Sequence, residues 1–156
     1  MPAPPGFLPP QPPVDPAIIE QVRRSLLPPG RYGSTAIGWL FEPDGGRVRI
    51  RSGIHDAEGW HDKALDYIDT HLTDEGVGLR WLARHVEVKA ARMLAGQPPR
   101  HAILVLDRQV CGRDDVTRDY PYTCDEYLPT MIPRGSALTV IEIDGTHVTY
   151  EGTGTR

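Results

Sequence analysis

The chain has 156 residues, which is enough for one domain with a hydrophobic core. Its apolar fraction of 39% excludes a disordered tail or a fibre, and no apolar run approaches the roughly 18 residues of a membrane span. The net charge of -4 argues against a protein that coats nucleic acid through a broad basic surface, but it leaves room for a local basic cluster. The first residues lack the basic and apolar regions of a secretory signal, so we expect none here.

A proline-dense segment begins the chain, and a helix follows it. Because proline fixes φ and donates no backbone hydrogen bond, residues 1–16 are predicted to form a stiff, extended linker, and residues 17–156 the folded domain. Asp15-Pro16 predicts the start of a short helix that runs through about Leu27 and ends at a Pro-Pro-Gly sequence. A linker in this place suggests a domain tethered to a longer protein.

Two strands and a second helix are predicted next. Residues 34–41 and 47–51 have strand character, and the Pro-Asp-Gly-Gly turn between them predicts a β-hairpin. Apolar residues at helical spacing predict a helix over 57–72, and Gly76 and Gly78 break that pattern.

The second half of the chain alternates helices and strands. The predicted elements are a helix over 86–94, a buried strand over 101–106, a polar loop over 112–123, a helix over 124–131 and strands over 137–143 and 146–150. An Asp-Gly pair between the last two strands is a hairpin signal. This order of elements predicts an α/β fold with a five-stranded mixed sheet flanked by helices.

His85, Glu87, Cys111 and Cys124 form the pattern that points to chemistry. One histidine and two cysteines can hold a zinc ion and leave its fourth position open for water, whereas structural zinc sites usually close with four ligands. A glutamate two residues after the histidine can then move protons without binding the metal. This is the H-x-E…C…C arrangement of zinc-dependent nucleobase deaminases. The histidine and the second cysteine each lie at a predicted helix start, so two helix N-termini are expected to converge on one site.

Other interpretations of the same residues stay open. An H-x-E pair often occurs by chance on a protein surface, and Cys111 and Cys124 could form a disulfide, especially in an exported protein. The competing class of protein is an interaction module stabilised by zinc or by a disulfide, in which the glutamate is dispensable. Trp39, Trp60 and Trp81 are predicted to be core residues rather than platforms for stacking bases.

Four segments of the second half resemble a known family. HVEVKAARML (85–94), HAILVL (101–106), Cys111 and CDEYLPTMIPRGSALTVIEIDG (124–145) are together similar to the DddA-like cytosine deaminase toxins, a clade of the bacterial polymorphic toxin deaminases. The resemblance covers about residues 30–156, and its most specific part is the tail. It implies a cytidine deaminase-like three-layer fold and the zinc-dependent conversion of cytosine to uracil in single- or double-stranded DNA. RNA and free cytidine are the alternative substrates.

Site residues follow from the same resemblance. The positions that match the zinc ligands are His85, Cys111 and Cys124, and Glu87 matches the catalytic acid/base. The positions that match the lining of the base pocket are Ser52, Gly53 and the backbone N–H of Val86.

The spacing of the two cysteines departs from the family pattern. Twelve residues (112–123) separate them, and Val110 stands where the family usually has proline. Because the entropy of loop closure grows slowly with length, both thiolates can still reach one ion. We expect the inserted segment, with Tyr120 and Tyr122, to contact the substrate by stacking or gating. Deleting 113–119 should then change the substrate preference but not the zinc content.

The resemblance also implies partners and a location. It predicts the toxin domain of an interbacterial effector, exported as part of a larger protein and active in the cytoplasm of a target cell. DNA is the expected partner, together with an immunity protein that covers the active site. The chain is expected to be a monomer with no membrane partner.

Overall fold

Five strands form one mixed sheet with helices on both faces. The computed structural model describes residues 8–72 and 77–155. The elements in chain order are α1 (Pro16–Ser25), β1 (Ile37–Phe41), β2 (Arg47–Arg51), α2 (Trp60–His71), a 3-10 helix (Val77–Arg84), α3 (Val86–Met93), β3 (His101–Leu106), α4 (Cys124–Met131), β4 (Ala137–Ile141) and β5 (His147–Glu151).

The strand order in the sheet is β2-β1-β3-β4-β5. β3 and β4 are parallel and are joined through α4, whereas the other neighbouring strands are antiparallel. Both predicted hairpins, β1–β2 and β4–β5, are present. The mixed α/β sheet that the sequence predicts is therefore confirmed.

The central strand β3 is buried on both faces and divides the core in two. Its side chains at Ala102, Leu104 and Leu106 belong to the larger hydrophobic cluster, which contains residues of α2, α3 and α4. Those of Ile103 and Val105 face the other way and pack in a second cluster with residues of α1. The molecule therefore has three layers: α1, the sheet, and the remaining helices.

Several element bounds match the prediction, and two strands are shorter than predicted. The elements over 47–51, 101–106 and 124–131 are found as predicted. The first strand begins at Ile37 rather than residue 34, because the guanidinium of Arg108 binds the carbonyls of residues 31, 34 and 35 and holds them as a loop. The strand predicted over 137–143 ends at Ile141, where the turn to β5 begins.

The prediction missed the 3-10 helix before α3. Gly76 lies outside the described residues, and Gly78 lies within this helix rather than ending a helical segment. Leu79 and Leu82 are buried on its inner side. The prediction that Trp81 is a core residue is wrong. Trp81 is 61% exposed, because it lies on the outer side of this short helix.

Part of the predicted linker packs against the folded domain. The prediction covers residues 1–16, of which 1–7 lie outside the described residues. Pro12 is buried, Val14 packs against the cluster around α1, and the Asp15 carboxylate accepts the Ala17 N–H at 2.8 Å as the N-cap of α1. The domain boundary at residue 16 stays a prediction. Among the described helices, none has both the length and the apolar character needed to cross a membrane.

Candidate active site

His85, Cys111 and Cys124 come together between the starts of two helices. His85 is the N-cap residue of α3, Cys124 is the first residue of α4, and Cys111 lies five residues after the end of β3. The three ligand atoms all lie within 4.8 Å of one another, and the Cys124 sulfur is 3.3 Å from Nδ1 of His85. Both cysteines are free thiols rather than partners in a disulfide.

Backbone hydrogen bonds hold the two cysteines in place. The Asp125 N–H donates to the Cys111 carbonyl at 2.9 Å, which joins the start of α4 to the segment after β3. The Thr123 hydroxyl caps α4 by accepting the Glu126 N–H at 3.3 Å. The first thiol is thus positioned by the end of a buried strand and the second by a capped helix, although 12 residues separate them.

Glu87 lies beside this cluster, in the first turn of α3. It is 4% exposed, and its Oε1 accepts the backbone N–H of Cys111 at 3.2 Å. Burial raises the pKa of Glu87 above its ordinary value, against the opposing effect of His85. A carboxyl group with a raised pKa exchanges protons more readily near neutral pH than an exposed one does.

The two thiols have opposite electrostatic environments. Hydrogen bonding from Cys124 and then from His85 lowers the pKa of Cys111 to about 4, although burial opposes this change. Burial raises the pKa of Cys124, and the neighbouring Cys111 raises it further. Burial alone would lower the pKa of His85, but its hydrogen bond to Cys111 and the charge of Glu87 raise it above its ordinary value. The cluster therefore stabilises a thiolate at Cys111.

The donor set and its spacing fit a zinc ion. Thiolate and imidazole donors are the ligands that zinc prefers. A tetrahedral ion with a zinc–sulfur bond of about 2.3 Å and a zinc–nitrogen bond of about 2.0 Å places the sulfur and the nitrogen about 3.5 Å apart. The distance of 3.3 Å between Cys124 Sγ and His85 Nδ1 is close to that spacing, so a small change of side-chain position would admit the ion. Three protein ligands leave one position for water, as in catalytic zinc sites.

A pocket of about 600 Å³ opens above the cluster. His85, Glu87 and Cys111 line it, whereas Cys124 is fully buried. The positions expected to contact substrate all line the same pocket: Ser52, Gly53, Val86, Tyr120 and Tyr122. The structure therefore brings the predicted residues together around one cavity, and their roles stay predictions.

A buried lysine holds one wall of the pocket. Lys89 on α3 is 1% exposed, and its ammonium donates to the carbonyls of Arg51 (2.9 Å) and Gly53 (2.8 Å). It also pairs with the Asp56 carboxylate at 2.7 Å, and that carboxylate caps α2 by accepting the N–H groups of residues 60 and 61. One lysine thus connects the pocket wall, α3 and the start of α2.

The inserted segment (112–123) is an ordered loop at the pocket mouth. The Asp114 carboxylate accepts the N–H groups of residues 116 and 117, and the Thr117 hydroxyl accepts the Gly112 N–H at 2.7 Å. Arg113 forms an ion pair at 3.2 Å with Glu142, which is fully buried. The loop is therefore fastened to the domain at its beginning and stabilised by a turn of its own.

Two tyrosines fasten the other end of the segment. The Tyr122 ring packs on the 3-10 helix so closely that a Cβ at residue 78 would lie 2.5 Å from it. The Tyr120 hydroxyl donates to that of Tyr32 at 3.1 Å, and their rings meet edge to face. Tyr32 belongs to the loop before β1, so this contact joins two loops across the pocket mouth.

Tyr32, Trp81 and Arg84 are among the pocket residues that sequence reasoning missed. The guanidinium carbon of Arg84 lies 3.6 Å from the centre of the Trp81 ring, which is a cation–π contact. The Arg84 carbonyl also accepts the Gly53 N–H at 2.9 Å. A tryptophan and an arginine three residues apart, directly before His85, are the signal from which this pair could have been found.

Comparison with protein families finds a match over most of the chain. A family model described as "SCP1.201-like deaminase" matches residues 11–156, which is most of the chain and includes every pocket residue named above. Neither the curated proteins nor the solved structures contain a match to the chain.

Proposed function

The chain belongs to the SCP1.201-like deaminase family, and from this membership we propose that it is a zinc-dependent deaminase of cytosine in DNA. The observation that carries the proposal is the convergence of three ligand atoms within 4.8 Å beside a buried carboxyl group. A deaminase removes an exocyclic amine by adding water across a C–N bond. That reaction needs an activated water and a group that moves protons.

Three side chains would hold the ion: His85, Cys111 and Cys124. When bound there, zinc supplies a Lewis acid that makes hydroxide available near neutral pH. Glu87 takes a proton from the attacking water on its carboxylate and delivers a proton to ring nitrogen N3 of cytosine. It then takes the remaining proton from the hydroxyl group added at C4 and gives it to the amine, so that ammonia leaves as the C4 carbonyl forms. The hydrogen bond from the Cys111 N–H keeps one carboxylate oxygen fixed while the other exchanges protons.

The pocket supports a nucleobase as the substrate. Its volume of about 600 Å³ lies in the usual range for ligand pockets. The Ser52 hydroxyl accepts the Ala36 N–H at 2.7 Å, and this bond fixes the wall against which the base would lie. The resemblance of the tail to the DddA-like toxins supports DNA as substrate and a role as the toxin domain of an exported effector. An immunity protein that covers the pocket belongs to the same proposal.

A uracil-formation assay tests the proposal. Zinc-loaded protein is incubated with matched single-stranded and double-stranded DNA that contains cytosine, beside the Glu87→Ala variant. We expect uracil from the wild type and a rate about 100- to 10,000-fold lower from the variant, because a general acid/base has been lost. The zinc content and the unfolding midpoint of both proteins serve as controls.

Each alternative has its own result in this assay. Uracil formed by Glu87→Ala at the wild-type rate would contradict the role of that carboxyl group. Conversion of RNA or free cytidine, with DNA untouched, would replace the substrate but keep the chemistry. A protein that binds zinc and converts none of these substrates would be an interaction module.

A further inference from the structure

Exposed aromatic side chains collect at the pocket mouth. Within residues 8–72 and 77–155, the large aromatic side chains that are exposed are Tyr32 (64%), Trp81 (61%) and Tyr120 (41%), and all three line the pocket. Exposed apolar surface gathered at one place marks a binding site rather than random surface composition. Tyr32 and Tyr120 contact each other, whereas the Trp81 ring meets only a guanidinium among the aromatic and cation–π contacts of the described residues.

Arg84 offers a positive charge at the same place. Its Nε is buried and has no hydrogen-bond partner within the described part of the chain. Arg108, the other arginine that lines the pocket, is occupied because its guanidinium binds the carbonyls of the loop before β1. A buried donor without an acceptor costs free energy unless a ligand supplies one. Arg84 is therefore the pocket arginine that is suited to bind an anion.

The Trp81 ring lies too far outward to serve the reacting base. The target base must reach the buried Glu87 and the ligand cluster, whereas the Trp81 side chain is mostly exposed. At a rise of about 2 Å per residue, Trp81 lies about 8 Å along the 3-10 helix from His85. At about 3.4 Å for each stacked nucleotide, that separation spans about two nucleotide steps, so Trp81 can reach a base beside the target but not the target itself. A free nucleoside would leave the Trp81 ring uncovered.

We propose that Trp81 and Arg84 form a subsite for the nucleotide next to the target cytosine. The neighbouring base stacks on Trp81, and the phosphate between the two nucleotides accepts hydrogen bonds from the Arg84 guanidinium. Stacking on an aromatic side chain binds any base, and a guanidinium is a strong phosphate donor. The subsite rests on the proposed function, and it deepens that function by requiring a polynucleotide with an unpaired neighbouring base.

A double-mutant cycle that combines a Trp81 variant with an abasic substrate tests whether the neighbouring base stacks on Trp81. Uracil formation is measured as kcat/KM on a single-stranded oligonucleotide with one cytosine, and on copies with an abasic site 5′ or 3′ of it. We expect removal of one neighbouring base to lower the wild-type value by about tenfold, and Trp81→Ala to lower it by a similar factor on the intact strand. Together the two changes should cause no further loss. Trp81→Phe, which keeps an aromatic face, should retain most of the activity.

A second measurement tests the phosphate contact. Binding of the oligonucleotide to Glu87→Ala protein is followed by fluorescence anisotropy over a range of salt concentrations. Adding Arg84→Gln should reduce the slope of log affinity against log salt by about 0.7, the value for one phosphate on a single strand. Arg24→Gln is the matched control, since Arg24 is an exposed arginine on α1 in the opposite layer, and it should leave the slope unchanged.

The outcomes separate the subsite from the proposed function. If the abasic site lowers kcat/KM of Trp81→Ala by the same factor as that of the wild type, the base does not stack on Trp81. If Arg84→Gln leaves the salt dependence unchanged, Arg84 does not bind phosphate. Uracil from the wild-type enzyme in both cases would preserve the proposed function while overturning the subsite. A wild type that makes no uracil from any oligonucleotide would overturn both. The unfolding midpoint of each variant shows that it is folded.

Discussion

The floor and the mouth of the pocket are built in different ways. At the floor, Glu87 lines the pocket and Cys124 is buried beside it; they are 4% and 0% exposed and lie in helices packed on the sheet. The mouth is formed by loops and a 3-10 helix, and its aromatic side chains are largely exposed. The groups that are proposed to react therefore share the rigidity of the core, whereas the mouth can change with little effect on folding. Changes at the floor should affect the metal and stability, and changes at the mouth should affect the choice of substrate.

The largest effect is expected from removing a ligand at the floor. Cys124→Ser should reduce the zinc content from one ion per chain to nearly none, because a buried sulfur donor is lost. Added zinc should raise the unfolding midpoint of the wild type, since a ligand that binds the folded state stabilises it, but not that of the variant. Metal analysis and thermal unfolding check this result. Full zinc content in Cys124→Ser would show that the ion is held elsewhere.

The next effect concerns the lysine that holds the pocket wall. Lys89→Met should lower the free energy of unfolding by about 3 kcal/mol, because it leaves a mostly buried carboxylate and two carbonyls without their donor. Urea unfolding measures the change. Lys63→Met on α2 is the matched control: Lys63 is exposed and lies 4.2 Å from the Trp60 ring, so its loss should cost less than about 1 kcal/mol. Equal effects would mean that the buried contacts contribute little.

A smaller effect should appear in the acid range. Burial raises the pKa of Asp56, but the bonds from Lys89 and the helix N–H groups hold it below its ordinary value. A carboxyl group whose pKa is lower in the folded state stabilises that state, and the contribution is complete above the unfolded pKa of about 4. The contribution is lost as the pH falls through the pKa of the folded state. The stability difference between wild type and Asp56→Asn should therefore be largest at pH 5–7 and should shrink below pH 4. Urea unfolding at several pH values measures this stability difference. A difference that stayed constant from pH 7 to below pH 4 would contradict the prediction.

The smallest effect on the pocket floor is expected from shortening the inserted segment at the pocket mouth. Arg113 forms an ion pair with the buried Glu142. The deletion should therefore keep Arg113 and remove residues 114–119 rather than 113–119. We expect unchanged zinc content, because the segments that carry both cysteines stay bonded to each other. The relative rates on single-stranded and double-stranded DNA should change, since the loop lines the pocket. Tyr120→Phe, which removes one hydroxyl contact, is the milder comparison. A loss of zinc on deletion would show that the loop supports the floor.

Much of the fold could be predicted from local patterns. The strands over 47–51 and 101–106 and the helix over 124–131 have clear apolar patterns between turn residues, and the structure has them at those bounds. The 3-10 helix escaped prediction because Gly78 indicates a break in a helical pattern, although here it leaves room for the Tyr122 ring. Such a contact between distant residues leaves no local trace in the sequence.

The candidate site was only partly predictable for the same reason. The cluster of His85, Cys111 and Cys124 could be expected from residue types, since only a few side chains bind zinc, although the spacing of the cysteines departs from the family pattern. Lys89 lies in a strongly predicted helix, where a lysine is normally exposed, and its burial depends on carbonyls 36 and 38 residues away. The exposure of Trp81 likewise depends on which side of a short helix meets the core. Burial of polar groups is set by tertiary packing, which one sequence does not reveal.

The hydrogen bond from the Asp125 N–H to the Cys111 carbonyl has a consequence for how such enzymes can diversify. It closes the base of the inserted segment, so the chain between the two cysteines begins and ends at nearly the same point. A closed base of this kind uncouples loop length from the positions of the thiols. Evolution can then lengthen, shorten or replace the segment as a cassette, and a protein engineer can insert a new recognition module there without rebuilding the catalytic centre.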